Sequence, residues 1–158
     1  IQPEHFAQET LERFGRTAVP RDPRGNRQGV RMASEEEGFF TVGGLSIVSE
    51  VIIEGDIQIT GDGAPYVLMC ECQTTGGYPR IGTVIACELP RVAQAAAGAP
   101  VRFRFITPDD AREAELAARK TLKALPGKTQ PLVRDPHDIA DLLSYQLVSG
   151  VISATSDP

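Results

Sequence analysis

Apolar positions along the chain cluster in short runs cut by glycine and proline, and only a few stretches carry helical spacing. Phe6, Leu11 and Phe14 stand among charged residues and predict a short amphipathic helix over residues 5–14, ended by Gly15. Residues 19–26 (VPRDPRGN) hold two prolines and a glycine and read as a connection. Next, 27–32 (RQGVRM) predict a short strand, and 33–38 (ASEEEG) a solvated acidic loop. Residues 40–60 are rich in Val, Ile and Thr and interrupted by Gly43, Gly44 and Gly55, the pattern of two or more β segments. Gly61-Asp62-Gly63 predicts a hairpin turn. The apolar run from 65 predicts a buried strand reaching Gln73, and 80–86 (RIGTVIA) a second. Residues 88–98 predict about two helical turns closed by Gly98. In 101–106 the apolar residues take one face and Arg102 and Arg104 the other, as in a half-buried strand.

Thr107-Pro108-Asp109-Asp110 is a strong helix start, with a hydroxyl cap, proline in the first turn and acids at the positive end of the dipole. The helix should run to about 125, its stripe of Ala111, Ala114, Ala118, Leu122 and Leu125 lying close against a sheet. A linker from Pro126 and a second helix over 136–149 follow, with Ile139, Leu142, Leu143 and Leu147 as an apolar stripe. The fold class expected is mainly β, a barrel or sandwich with a few flanking helices. Residues 1–125 would form the lobe and 126–158 a linker and helical tail.

Composition narrows the function. With 41% hydrophobic residues in 158 there is enough apolar material for one core, and a net charge of -5 speaks against nucleic-acid binding. No apolar run approaches the roughly 18 residues of a membrane span, and the N-terminus lacks signal-peptide character, so a soluble, cytoplasmic protein is expected. The first residue is Ile1 rather than methionine, which suggests a piece of something longer. Cys70, Cys72 and Cys87 do not form a disulfide framework. His5 and His137 lie at opposite ends of the chain, so buried strand cysteines are expected rather than a metal site.

The chemistry concentrates in residues 73–79. Gln73, Thr74, Thr75 and Tyr78 bring an amide, two hydroxyls and a phenol around Gly76 and Gly77, whose missing Cβ atoms open backbone N–H groups to a ligand. That set suits a carboxylate, amide or ureido group, unless the loop merely turns the chain. Arg27 and Arg31 share a strand face and could pair with a carboxylate ligand or with the acidic loop. Glu50 could orient Arg27 or accept a proton, and Gln58 lies on the strand before the hairpin. His137 reads as solvent-facing or capping, since no nucleophile motif surrounds it. Walker, G-x-G-x-x-G and H-E-x-x-H motifs are missing, which assigns any nucleotide hydrolysis to another chain.

The segment 55–105 carries a family signature. In order come Gly55, Ile57, Gln58, Pro65, Leu68, Gln73 to Pro79, Leu89, Pro90, Ala93, Gln94, Gly98, Val101 and Phe103, preceded by Asn26-Arg27-Gln28-Gly29-Val30-Arg31 and Ser49-Glu50. This resembles the C-terminal lobe of the allophanate hydrolase subunit 2 / 5-oxoprolinase C-subunit family, which is related to urea amidolyase. Glu71 and Glu88 stand where that family often has Asp, and both keep the charge. The resemblance implies a cyclophilin-like closed β-barrel, with an N-terminal lobe and a subunit-1-like protein as partners. It implies a role in ATP-dependent hydrolysis of a small amide such as 5-oxoproline, or in biotin-dependent urea-type carboxyl transfer. Biotin or ATP would then belong to the complete assembly, with no cofactor or metal on this chain alone. Gln73, Tyr78 and Glu50 become the expected catalytic residues, and Arg27, Gln58, Thr74, Thr75, Gly76 and Gly77 the expected substrate contacts. The alternative the resemblance leaves open is a non-catalytic protein that antagonises a histidine-kinase inhibitor.

Overall fold

Two prolines do not stop residues Ala18–Asn26 from forming the longest strand, β1. Pro20 sits opposite Pro100, and Pro23 falls where the register against the next strand shifts between Arg21 and Gly25. A proline at such an irregularity removes no ladder hydrogen bond. The expected connection at 19–26 is therefore a strand. Asn26 Oδ1 accepts the Gln28 and Gly29 N–H groups at 2.8 and 3.3 Å and turns the chain into β2, Gly29–Met32.

The computed structural model describes residues 2–33, 37–43, 48–130, 135–141 and 144. It divides into two compact units, Ile1–Thr121 and Leu122–Pro158. In the first, β4 (Asp56–Ile59), β5 (Pro65–Leu68), β7 (Arg80–Thr83) and β8 (Pro100–Arg102) join β1 and β2 in an antiparallel sheet of six strands, ordered β7-β4-β5-β2-β1-β8. Between them β3 (Glu50–Val51) and β6 (Thr75–Gly76) form a separate two-residue ladder. The class is mainly β, as expected. The described pairings leave β7 and β8 as edges, so they do not close the sheet into a barrel.

Helix α1 (Gln8–Arg16) closes one end of the core. It starts later than its apolar spacing implies and runs through Gly15. Its Phe14 is 2% exposed, meets Phe39 edge-on with ring centres 5.2 Å apart, and stacks on Phe103 at 5.3 Å. Burying such a ring is worth roughly 1.5–3 kcal/mol. Phe6, Val19, Val30, Met32, Ile57, Ile59, Val67, Met69, Ile81 and Val92 of α2 (Leu89–Gln94) complete the cluster. The turn after β4 follows the predicted hairpin: Gly63 has φ +76°, and a Cβ there would come within 2.6 Å of Gly38 Cα.

Other expectations shift. Strand β5 ends at Leu68, because Glu71 N–H donates to Arg27 O and Cys72 N–H to Met69 O in a turn. That turn leaves Cys70 exposed and Cys72 half-buried, and Cys87 lies half-buried in a short 3-10 turn, so none is a buried strand cysteine. Helix α3 (Pro108–Ala124) starts where its cap signal puts it, but none of its residues is buried. Its stripe therefore seats only in part: Ala111, Ala114 and Ala118 are half-buried, while Leu122 and Leu125 are exposed. In the second unit, Pro136–Asp138 is a 3-10 turn in which Asp135 accepts the His137 N–H at 3.0 Å. His137 itself is exposed. Leu142, Leu143 and Leu147 lie outside the described residues. Among the described residues no helix is long and apolar enough to cross a membrane.

Candidate functional site

Strand β4 reads Asp-Ile-Gln-Ile, and all four residues are buried. Ile57 and Ile59 join the core, so alternation puts Asp56 and Gln58 together on the opposite face. Gly55, at φ +93°, makes the bend that brings Asp56 into place. The Asp56 carboxylate is fully satisfied by its neighbours. It accepts the Ile53 N–H at 3.1 Å, the Thr83 hydroxyl at 2.6 Å and Arg80 Nη1 at 3.3 Å.

Arg80 opens β7 directly opposite Gln58. Its guanidinium is mostly buried and also donates to Val51 O at 3.0 Å and to Glu50 Oε2 at 2.7 Å. Gln2 wraps the same residue: its N–H donates to Arg80 O at 3.1 Å, its Oε1 accepts the Arg80 N–H at 3.2 Å, and its Nε2 donates to Glu50 Oε2 at 3.0 Å. In the small ladder Glu50 faces Gly76. A Cβ on Gly76 would lie 2.6 Å from Gln58 Nε2 and 3.0 Å from Ile52 Cδ1, so a side chain here would have to displace the Gln58 amide that the loop crosses. Glu50, Gly76, Gln58 and Arg80 thus form a ring, each beside the next.

Among the described residues two donors in this ring have no partner: Gln58 Nε2 and Arg80 Nε are both buried and unpaired. A buried N–H left without an acceptor costs about 1–3 kcal/mol. The cluster therefore holds free donor capacity beside a carboxylate, which matches the chemistry of an amide or ureido group.

The structure gathers Glu50, Gln58 and Gly76 of the sequence-predicted residues, with Thr75 beside Gly76 in the same ladder. Gln73, Thr74 and Thr75 are exposed, and Tyr78 is 45% exposed. Among the described residues the side chains of these four make no hydrogen bond, and Thr74 instead offers its carbonyl to Ile52 N–H at 3.1 Å. Arg27 is elsewhere. It sits in the β1–β2 turn and pairs with Glu71 at 2.8 Å, so Glu50 orients Arg80 rather than Arg27. Arg31 belongs to a third group, pairing with Asp62 and lying 3.6 Å from Asp22. There the Arg24 side chain, hydrogen-bonded to Asp22, holds that carboxyl far below its ordinary range, and Arg31 with Thr60 does the same to Asp62. Burial, with Glu54 and Asp56 nearby, pushes the Cys72 thiol up, which keeps it protonated and a poor nucleophile.

Sequence reasoning missed Arg80, Asp56, Gln2 and Thr83. Polar residues at alternate positions of an otherwise apolar strand, Asp56 and Gln58, were the available signal for a second buried face. Gln2 carried none, since its partners lie 48 and 78 residues away. Among the described residues no group of three or more His, Cys, Asp or Glu could hold a metal ion.

The profile of the carboxyltransferase domain, subdomain A and B, matches residues 1–105. The 5-oxoprolinase C-subunit of Escherichia coli is 32% identical over 98 residues, covering 62% of this chain and 31% of that protein. Its counterpart from Haemophilus influenzae is 37% identical over 67 residues, 42% of this chain and 22% of that one. The chain thus spans less than a third of the length of these curated relatives. The crystal structure of the K. lactis urea amidolyase aligns with a TM-score of 0.65 over 82% of this chain and 8% of that chain, at 22% identity, a likeness of fold. The ring, with Gln2, Asp56 and Thr83 packed around it, falls inside the matched 1–105.

Proposed function

Because this chain belongs to the carboxyltransferase domain family, subdomains A and B, we propose that it is one lobe of a cytoplasmic protein of the 5-oxoprolinase C-subunit type. In this reading it works with a subunit-1-like partner and a further lobe in the ATP-dependent hydrolysis of a small amide such as 5-oxoproline. The six-stranded sheet is then part of a cyclophilin-like barrel. The observation that carries the reading is the ring of Glu50, Gly76, Gln58 and Arg80, with two buried N–H groups unpaired.

A lactam offers one N–H and one carbonyl oxygen. Glu50, whose carboxylate is half-exposed, is the acceptor for the N–H. Gln58 Nε2, covered by Gly76 in this structure, becomes the donor for the oxygen once the loop over it shifts, and that oxygen gains negative charge when the carbonyl is attacked or phosphorylated. Gln73 and Tyr78, on the exposed loop, are the groups that meet substrate as it enters, and Thr74, Thr75 and Gly77 line the same loop. The described residues contain no phosphate cradle of the Walker type, so no step through ATP is placed on this chain. A second reading is favoured by the family's carboxyltransferase description and by the urea amidolyase fold: carboxyl transfer to urea. A ureido group, biotin's included, has the same N–H and carbonyl pattern, so Glu50 and Gln58 are the residues that fit it. Bound biotin would supply the carried carboxyl group.

The test is glutamate release from 5-oxoproline and ATP by the assembled enzyme. Glu50→Gln should lower kcat by about 100-fold, and the 158-residue chain by itself should release none. Wild-type turnover from Glu50→Gln would overturn the reading. Turnover with urea and bicarbonate, and none with 5-oxoproline, would select the second.

A further inference from the structure

Gln2 and Arg80 both donate to the same oxygen of Glu50, and the geometry points to what that does. We propose that Gln2 and Arg80 are positioning residues that lock the Glu50 carboxylate with one oxygen held and the other presented to an amide N–H. The inference rests on the reading of the ring as the substrate site.

Oε2 of Glu50 accepts from Arg80 Nη2 at 2.7 Å and from Gln2 Nε2 at 3.0 Å. Among the described residues Oε1 accepts nothing. The donors are themselves fixed. Arg80 is anchored from behind by the buried Asp56 and by Val51 O, and Asp56 by Ile53 N–H and the Thr83 hydroxyl. Gln2, 6% exposed, is tied to the Arg80 backbone at two points. A half-exposed glutamate needs none of this to stay soluble, and an ordinary surface ion pair would use one donor and leave the side chain free to rotate. Here two donors from chain segments far apart in sequence remove that freedom. Charge agrees: one guanidinium between two carboxylates leaves the group net negative, so the open oxygen calls for an N–H donor. Preorganising an acceptor this way lowers the reorganisation required when the substrate reacts.

The experiment is a double-mutant cycle in the assembled enzyme, with 5-oxoproline and ATP as the probe. Gln2→Leu, close in volume but without the amide, should lower kcat about tenfold with KM within about twofold. Arg80→Lys, which keeps the charge and loses the fork, should fall between wild type and Arg80→Gln. In the Gln2→Leu/Glu50→Gln double variant the loss should equal that of Glu50→Gln alone, because Gln2 acts only through Glu50. Should Gln2→Leu not fold, Gln2→Glu is the second variant; it keeps the shape and replaces the donor with an acceptor. Losses that multiply in the double variant, or wild-type kcat in the Gln2 variants while Glu50→Gln is slow, overturn the positioning role alone. Wild-type turnover in Glu50→Gln removes the site reading and the positioning role together.

Discussion

At the scale of single residues, carboxylates in this protein do two different jobs, and acid separates them. Asp22 takes the Arg24 backbone N–H at 2.7 Å and the Arg24 side chain at 2.8 and 2.6 Å, and is held far below its ordinary range chiefly by those side-chain bonds. A carboxyl whose folded value is depressed contributes stability that is complete above its unfolded value, about 4, and is lost as pH falls below it. Asp22→Asn should therefore lower the urea midpoint at pH 7, and the gap to wild type should narrow as pH falls from about 4 to 2. A gap constant over that range would show that Asp22 stabilises through shape rather than charge. Asp62, more exposed, should show a weaker version of the same trend. The glycine at 76 was legible in the sequence as an open position, but its reason was not. It makes room for the Gln58 amide beneath it, a contact between residues on two strands that no local pattern can reveal. Arg27 and Arg31 looked equivalent for the same reason. Only the fold shows that one pairs with Glu71 in a turn and the other with Asp62.

Among the elements, those specified by local chemistry were the most readable. The start of α3 is a reciprocal cap: Thr107 Oγ1 accepts the Asp110 N–H at 3.1 Å, and Asp110 Oδ2 accepts from the Thr107 N–H at 3.3 Å. Thr107→Ala should cost about 0.5–2 kcal/mol of helix stability. Since no residue of α3 is buried, that loss should appear as reduced far-ultraviolet helical signal while the thermal midpoint of the sheet, followed by near-ultraviolet signal, stays put. A matching fall in the sheet's midpoint would mean that the helix is coupled to the core. The hairpin at Gly63 was equally legible, since that glycine takes positive φ, but α2 stops at Gln94 with Ala95 as its cap, so Gly98, also at positive φ, turns the chain after the helix rather than closing it. Strand β1 was hidden because its prolines look like breakers until the register shift that accommodates Pro23 is seen. The stripe on α3 misled in part: its alanines are half-buried, but Leu122 and Leu125 continue the helical spacing with no surface to cover.

For the whole molecule, the mainly β class was legible from short apolar runs cut by glycine and proline, and the family from an ordered set of motif residues within the matched region, whereas the closed barrel is not shown by the described pairings and the polar ring was only half legible because it is assembled from distant segments. The order of the sheet has a kinetic consequence. Hairpins β1–β2 and β4–β5 join strands a few residues apart, so they close quickly. The β1–β8 pairing instead brings Ala18 to Arg102, and the ring brings Gln2 to Arg80, which requires closing loops of about eighty residues at a larger entropic cost. Refolding should therefore be biphasic in protection. In pulse-labelled hydrogen exchange the amides of β4 and β5 should become protected first, and the Arg80 and Arg21 amides, which bond to Gln2 and Ala99, should follow in a slower phase. Simultaneous protection would contradict that order. On this account the chain passes through a state in which its hairpins are already paired while the Glu50 carboxylate still swings free, so the site's geometry is the last thing folding completes.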